Sequence, residues 1–248
     1  MAQYWLNLDR TEAEVVSEFS FLGIGSNLSL DIQNELPALL IDSTNSALAA
    51  VVWDVVPLAT DVQIYALMSG GTFLGSGGRQ AGPAARLSWG TVGLNGYGLA
   101  LDRAAVQRIP RYDDGVRSTM QSLSISTTQP SHWRFETKGD VIRTVHGTPA
   151  LDDNPAVWDG SVTDATHTGS GKVGFTRVNW RNANRQLWVH ALGVGTDGDP
   201  APTGPLGTTE AFALRHNPRT NKVIPVLSSP TVTDIGAACV RPRVTKGY

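Results

Sequence analysis

The residues from 158 to 175, WDGSVTDATHTGSGKVGF, set a Thr/Asp/His run beside Gly-Ser-Gly-Lys, ingredients of a phosphate-binding loop. That chemistry needs a glycine five residues before the Gly of the Gly-Lys pair and a hydroxyl after the lysine to hold magnesium. Here those positions are Thr166 and Val173, so the loop cannot be built. The simpler expectation is a tight turn between two antiparallel strands, with Gly169 and Gly171 supplying the bend and Lys172 in solvent. GTFLGSGGRQAG (71–82) fails in the same way as a dinucleotide fingerprint, because its third glycine position is Gln80; it reads as a glycine-rich rim loop.

Metal and acid–base chemistry fare no better. His132, His146, His167, His190 and His216 stand singly, without the paired spacing of a zinc site, and read as surface or structurally satisfied residues. Asp113-Asp114 and Asp152-Asp153 offer oxygen ligands for a structural calcium, but neither sits in a recognisable loop, so solvated acidic turns are the expectation and no cofactor is assigned. Retaining glycosidases set two carboxylates about 5 Å apart. The expected strands supply Glu136 alone, with Arg134 and Lys138 as its alternating neighbours. No nucleophile elbow occurs.

The elements that must position these residues are strands. Apolar and polar residues alternate in DVQIYALM (61–68), in YGLALD (97–102) after the turn signal LNG, and in HWRFETK, which puts Trp133 and Phe135 on one face and Arg134 and Glu136 on the other. DVIRTVHG completes a hairpin around Gly139 and Asp140. VWDGSVTD, KVGFTRVNW and LWVHALGVG add three more strands, and ELPALLIDSTNSALAAVVWD adds further ones. In TEAEVVSEF (11–19), Thr11 and Glu14 have capping-box spacing, but the run is short and an alternating reading competes, so no helix is expected there. Turn signals at short intervals without intervening helices predict an all-β antiparallel sandwich or jelly roll.

Among 248 residues, hydrophobic types make up 41% and charged types 17%, with 26 Gly and 14 Pro, a mixture suited to short strands and tight turns. A net charge of −2 gives no basic surface for nucleic acid. No apolar run approaches the roughly 18 residues of a membrane helix, so no membrane insertion is expected. Cys239 is the single cysteine, and the first ten residues lack a secretory layout, which together suggest synthesis in a reducing cytoplasm. GTDGDPAPTGPLGTT (195–209) has linker composition, and the Pro-interrupted sequence beyond it suits a tail lying on another surface. The expected organisation is an N-terminal segment (1–50) that joins the sandwich or anchors it, a sandwich over 51–196, and a linker with an extended assembly segment over 197–248.

VQIYALM, the glycine-rich loop, LNGYGLALD, the long segment 132–175 and LWVHALGVGTDGD follow one another in an order that resembles the concanavalin A-like lectin/glucanase superfamily in its laminin-G-like form. The resemblance implies a jelly-roll β-sandwich in which Trp133, Phe135, Trp158 and Phe175 are core. The glucanase members' carboxylate strand has no counterpart here, which leaves glycan or protein binding. A looser resemblance links the C-terminal region to tailed-bacteriophage virion proteins. It implies a non-enzymatic virion structural protein (fibre, head decoration or tail component) whose partners are other virion proteins, further copies of itself and host-surface glycans. A glycoside hydrolase or lyase, and an architectural cement protein without a ligand, are the alternatives. Arg79, Tyr97, Arg111 and Tyr112, in or beside loops and able to stack or to make forked hydrogen bonds, are the candidate glycan contacts.

Overall fold

Side chains that alternate between two environments need two layers to bury one of them, and this chain builds both layers from strands. The structure, a computed structural model, describes residues 2–23, 27–33, 36–42, 48–70, 80–102, 106–124, 131–147, 157–178, 186–205, 212–217 and 222–227. In chain order these form β1 (Ala2–Trp5), α1 (Glu12–Val16), β2 (Phe19–Leu22), β3 (Asn27–Gln33), β4 (Leu36–Asp42), β5 (Ala49–Trp53) and β6 (Val62–Gly70). Next come β7 (Gln80–Trp89), β8 (Leu94–Gly98), β9 (Ala100–Asp102), β10 (Val106–Asp113), β11 (Val116–Ser124), β12 (Ser131–Lys138) and β13 (Val141–Gly147). The series ends with β14 (Gly160–Thr163), β15 (Lys172–Val178), β16 (Gln186–Thr196), β17 (Phe212–Asn217) and β18 (Lys222–Leu227).

Two eight-stranded antiparallel sheets form the sandwich. Sheet A runs β14-β13-β12-β6-β16-β4-β3, with β1 added along β16; sheet B runs β11-β10-β8-β7-β15-β5-β2, with β9 beside β10 and β7. The jelly-roll expectation therefore holds. The first 50 residues contribute to both sheets, and β17 and β18 pair with each other as a separate two-stranded sheet.

The period-two pattern decides what lies between the sheets. Val62, Ile64, Ala66 and Met68 of β6 pack with Trp133 and Phe135 of β12, Val189 and Val194 of β16, and Phe175 of β15 in one apolar cluster. Burying each large side chain contributes roughly 2–3 kcal/mol. Trp158 departs from the core expectation. It is half-buried, and the Arg143 guanidinium lies 4.5 Å from its ring centroid, so it is a stacking partner outside the core cluster.

Two local expectations are corrected. A helix does form at residues 12–16: Glu14 N donates to Thr11 Oγ1 and Glu14 returns a carboxylate to Thr11 N, so the reciprocal cap outweighs the competing alternation. LNG is no turn before a strand but the start of β8, where Gly96 adopts φ 128° against the backbone carbonyls of β7. The hairpin of β12 and β13 turns at Gly139 (φ 58°) as expected.

Candidate functional site

The stretch 164–171 joins β14 of sheet A to β15 of sheet B, so it bridges the two layers instead of turning within one. Side chains of sheet B pin it. Arg111 Nη1 donates to Asp164 Oδ2 (2.6 Å) and Thr166 Oγ1 (3.0 Å), and Arg111 Nε to Asp113 Oδ2 (2.7 Å). Tyr97 Oη donates to Asp164 Oδ1 (2.8 Å) and accepts from His167 N (2.9 Å). The His167 ring reaches the Tyr112 carbonyl at 2.7 Å. Partial burial opposes ionisation of Asp164, but hydrogen bonds from Thr166, Tyr97 and Arg111 outweigh it and hold the carboxyl well below the ordinary carboxylate range. Burial, with Asp164 alongside, pushes the Tyr97 phenol up to about 12. Arg86, 3% exposed, donates to the carbonyls of Thr60, His167 and Gly139 from a left-handed backbone (φ 54°). Lys172, expected in solvent, is half-buried and paired with Asp54.

Of the four candidate glycan contacts, Tyr97 and Arg111 hold this crossing through their side chains and Tyr112 meets it only through its carbonyl. Tyr97 and Tyr112 are each 0% exposed, so neither presents a ring to a ligand; loop-like sequence around them belongs to β8 and β10. Tyr112 shares a hydrogen bond with Thr176, and burial pushes its phenol up to about 12. Arg111 is partly exposed but held by two aspartates. Arg79 lies outside the described residues, as do Asp152 and Asp153. Asp114 accepts from Val92 N and Gly93 N, fixing a turn, and Asp113 is taken by Arg111 and His167. Among the described residues no three His, Cys, Asp or Glu side chains converge as a metal cage.

The outer face of sheet A is different. Because Val62, Ile64, Ala66 and Met68 face the core, Gln63, Tyr65, Leu67 and Ser69 face outward, joined by His132, Arg134 and Glu136 of β12. A register shift between Val189 and Ala191 lets His190 share this outer face with Ala191. Ser69 Oγ lies 2.7 Å from His190 Nε2 and also bonds Gln33 Oε1, which is 3.2 Å from the same ring nitrogen. Tyr65 Oη lies 2.7 Å from His132 Nδ1. Burial lowers both His132 and His190 to about 4, so both rings are neutral near pH 7. Trp188 packs on Ala38 and Leu40, and its Nε1 donates to Asp31 Oδ2.

A strap closes one end of this face. After the turn at Asp197 and Gly198, residues 199–202 run back over β16, where Gly193 and Gly195 leave room: a Cβ on either would sit 2.1 Å from a strap carbonyl oxygen. Ala201 N donates to Gln63 Oε1 (2.9 Å), Arg134 Nη1 donates to the Ala201 carbonyl (3.1 Å), and Trp5 stacks on Tyr65 at 6.4 Å. Glu136 accepts from Gln63 and pairs with Arg143.

No protein-family model matches the chain, and no curated protein matches it. Solved structures do. The carbohydrate-binding module CBM66 from Bacillus subtilis superposes with a TM-score of 0.51 at 12% identity over 70% of this chain and 92% of that one. The Emp46p carbohydrate recognition domain in its potassium-bound form gives 0.51 at 11% identity over 79% and 97%. The fold is a lectin-like sandwich. The GH43 protein BlXynB from Bacillus licheniformis gives 0.56 at 12% identity, over 77% of this chain and 39% of that one.

In this lectin-like sandwich, alternation in HWRFETK already placed Arg134 and Glu136 opposite Trp133 and Phe135. What sequence reasoning missed is that the second face is also buried: His132 is 2% exposed, Ser69 2% and His190 6%. Isolated histidines carry no such signal, since their neighbours on this face come from β3, β6 and β16.

Proposed function

We propose that the chain is a glycan-binding module without enzymatic activity. One observation carries this reading: two eight-stranded antiparallel sheets stack into a lectin-like sandwich. Sandwiches of the same fold that carry carbohydrate-binding names support it. The finer reading is a displayed part of a bacteriophage virion, such as a fibre, head decoration or tail component, with other virion proteins and copies of itself as partners. Its support is the resemblance of the C-terminal sequence, together with a β17–β18 hairpin that forms its own sheet.

A glycan array with the purified chain tests the binding reading, which expects weak, multivalent, sugar-competed binding. Silence across the array would favour a cement protein without a ligand. The GH43 likeness favours hydrolysis as the second reading; Glu136, tied to Arg143 and Gln63, argues for the first. Release of reducing sugars from cell-wall or capsular glycans at catalytic rates would decide for hydrolysis. Mass spectrometry of purified virions tests the virion assignment.

A further inference from the structure

The hairpin between β7 and β8 turns back over its own sheet. Its pairing register shifts after Ala85, Arg86 takes a left-handed backbone (φ 54°), and the ladder resumes at Ser88–Asn95 and Trp89–Leu94. Leu87 and Leu94 then pack with Ala50 and Val52. Those two alternate with the core residues Val51 and Trp53, so they face outward from sheet B. The hairpin tip therefore lies across the outer face of sheet B.

Two contacts fix that tip. The benzo end of Trp89 rests on Gly23, just past β2, where an added Cβ would sit 2.6 Å from Cζ3. Asp114, at φ 46° in the neighbouring β10–β11 turn, accepts from Val92 N (2.7 Å) and Gly93 N (2.9 Å). Its own N–H donates to Asn95 Oδ1 (2.6 Å). A left-handed non-glycine backbone persists only where its surroundings hold it. The ring is thus set in place before a ligand arrives, which lowers the entropic cost of binding.

Trp89 also differs from the other described tryptophans. Trp53, Trp133 and Trp188 are buried and donate through Nε1 to Glu18, Ser131 and Asp31. Trp5 stacks on Tyr65, and Trp158 lies against Arg143. Trp89 is 45% exposed, and among the described residues nothing accepts from its Nε1 or stacks on its ring. That leaves roughly 100 Å² of the side chain open. Val92 (75% exposed) and Val116 (67%) stand on the two touching turns beside it. The three together still fall well short of the roughly 800 Å² that each partner gives to a stable protein interface. The open ring suits a small, rigid face instead. A pyranose offers one, with C–H bonds across a face and hydroxyls at its rim, complementary to an aromatic ring that carries one N–H donor.

We propose that Trp89 is a stacking platform for a pyranose residue of a polysaccharide, with the indole N–H, at the end of the ring away from Gly23, donating to a sugar hydroxyl. The ring bounds the sugar on one side only, so it accepts a residue within a chain as readily as a terminal one. This rests on the glycan-binding reading and gives it a place on the outer face of sheet B.

Soluble β-glucan, galactan, mannan and xylan are titrated into the full chain, into Trp89→Ala and Trp89→Phe, and into a control, Ile32→Ala, which alters an exposed residue of β3 in sheet A. Thermal melts establish that each variant is folded. At least one polysaccharide is expected to bind the wild type and Ile32→Ala alike and to weaken about tenfold in Trp89→Ala. Trp89→Phe, which keeps a ring, should lose less. In 15N spectra of the wild type, the indole N–H resonance that is missing from Trp89→Phe should shift when that polysaccharide is added. Equal binding by all variants, or an unmoved indole resonance, would overturn the platform and leave glycan binding standing elsewhere on the molecule. Binding to none of these polysaccharides and to nothing on the glycan array would remove the parent reading with it. Self-association or vesicle binding that is lost in Trp89→Ala, with no polysaccharide bound, would make the tip a protein or lipid contact instead.

Discussion

His132 and His190 show how one residue type takes its behaviour from its surroundings. Both rings are buried among neutral partners, and burial lowers both to about 4. In the unfolded chain each titrates near the ordinary value of about 6.5. The unfolded state therefore binds more protons between those values, so stability is complete above about pH 6.5 and declines as pH falls toward 4. The shift corresponds to at most about 3 kcal/mol for each ring. Asp164, held below the usual carboxylate range, adds a separate loss at lower pH as its carboxyl protonates. Urea denaturation at pH 7, 5.5 and 4.5 should show falling unfolding free energy, with a shallower slope in His132→Phe. A pH-independent midpoint across that window would contradict the buried neutral rings.

Among the elements, the strap over β16 depends on two glycines. Gly193 and Gly195 alternate with Leu192 and Val194, so their missing side chains face outward where residues 199–202 lie down. Gly195→Ala places a methyl group against the Asp199 carbonyl and lifts the strap, which loosens the Ala201–Gln63 and Arg134–Ala201 hydrogen bonds. The expected cost is about 2–3 kcal/mol, read as a lower melting temperature. Gly169→Ala, where an added Cβ meets nothing within 4 Å, is the matched control and should melt as wild type. The exposed edge at β3 is also managed: Glu12 of α1 accepts from Leu30 N, and Asp31 accepts from Ile32 N, which blunts that edge against strand addition.

For the whole molecule, pairing marks what the sandwich requires. The β17–β18 hairpin pairs only within itself among the described strands, whereas the strap is hydrogen-bonded into sheet A. A chain ending after Pro205 should keep the β-rich circular dichroism spectrum and nearly the full-length melting temperature. One ending after Thr196 should melt lower, because Arg134 loses the Ala201 carbonyl and Gln63 loses the Ala201 amide. If the longer truncation product unfolded instead, β17 and β18 would be part of the sandwich's stability.

Alternation by itself determined the architecture here. A period of two in VQIYALM, HWRFETK and LWVHALGVG assigns each side chain to one of two faces, and a face carrying Ile64, Trp133, Phe135 and Val194 must be buried against a second sheet. The same alternation could not say what covers the other face or which distant strands lie side by side. Tyr97 and Tyr112 looked accessible because glycine and acidic turns flank them, yet Tyr97 lies in the core between the sheets and Tyr112 packs among Ala50, Val52, Ala84, Leu87 and Leu94. Only the tertiary structure set Tyr65 against His132 and Ser69 against His190, residues separated by 67 and 121 positions in the chain. Contacts of that range are decided by strand order, and strand order is the outcome of packing the whole molecule at once.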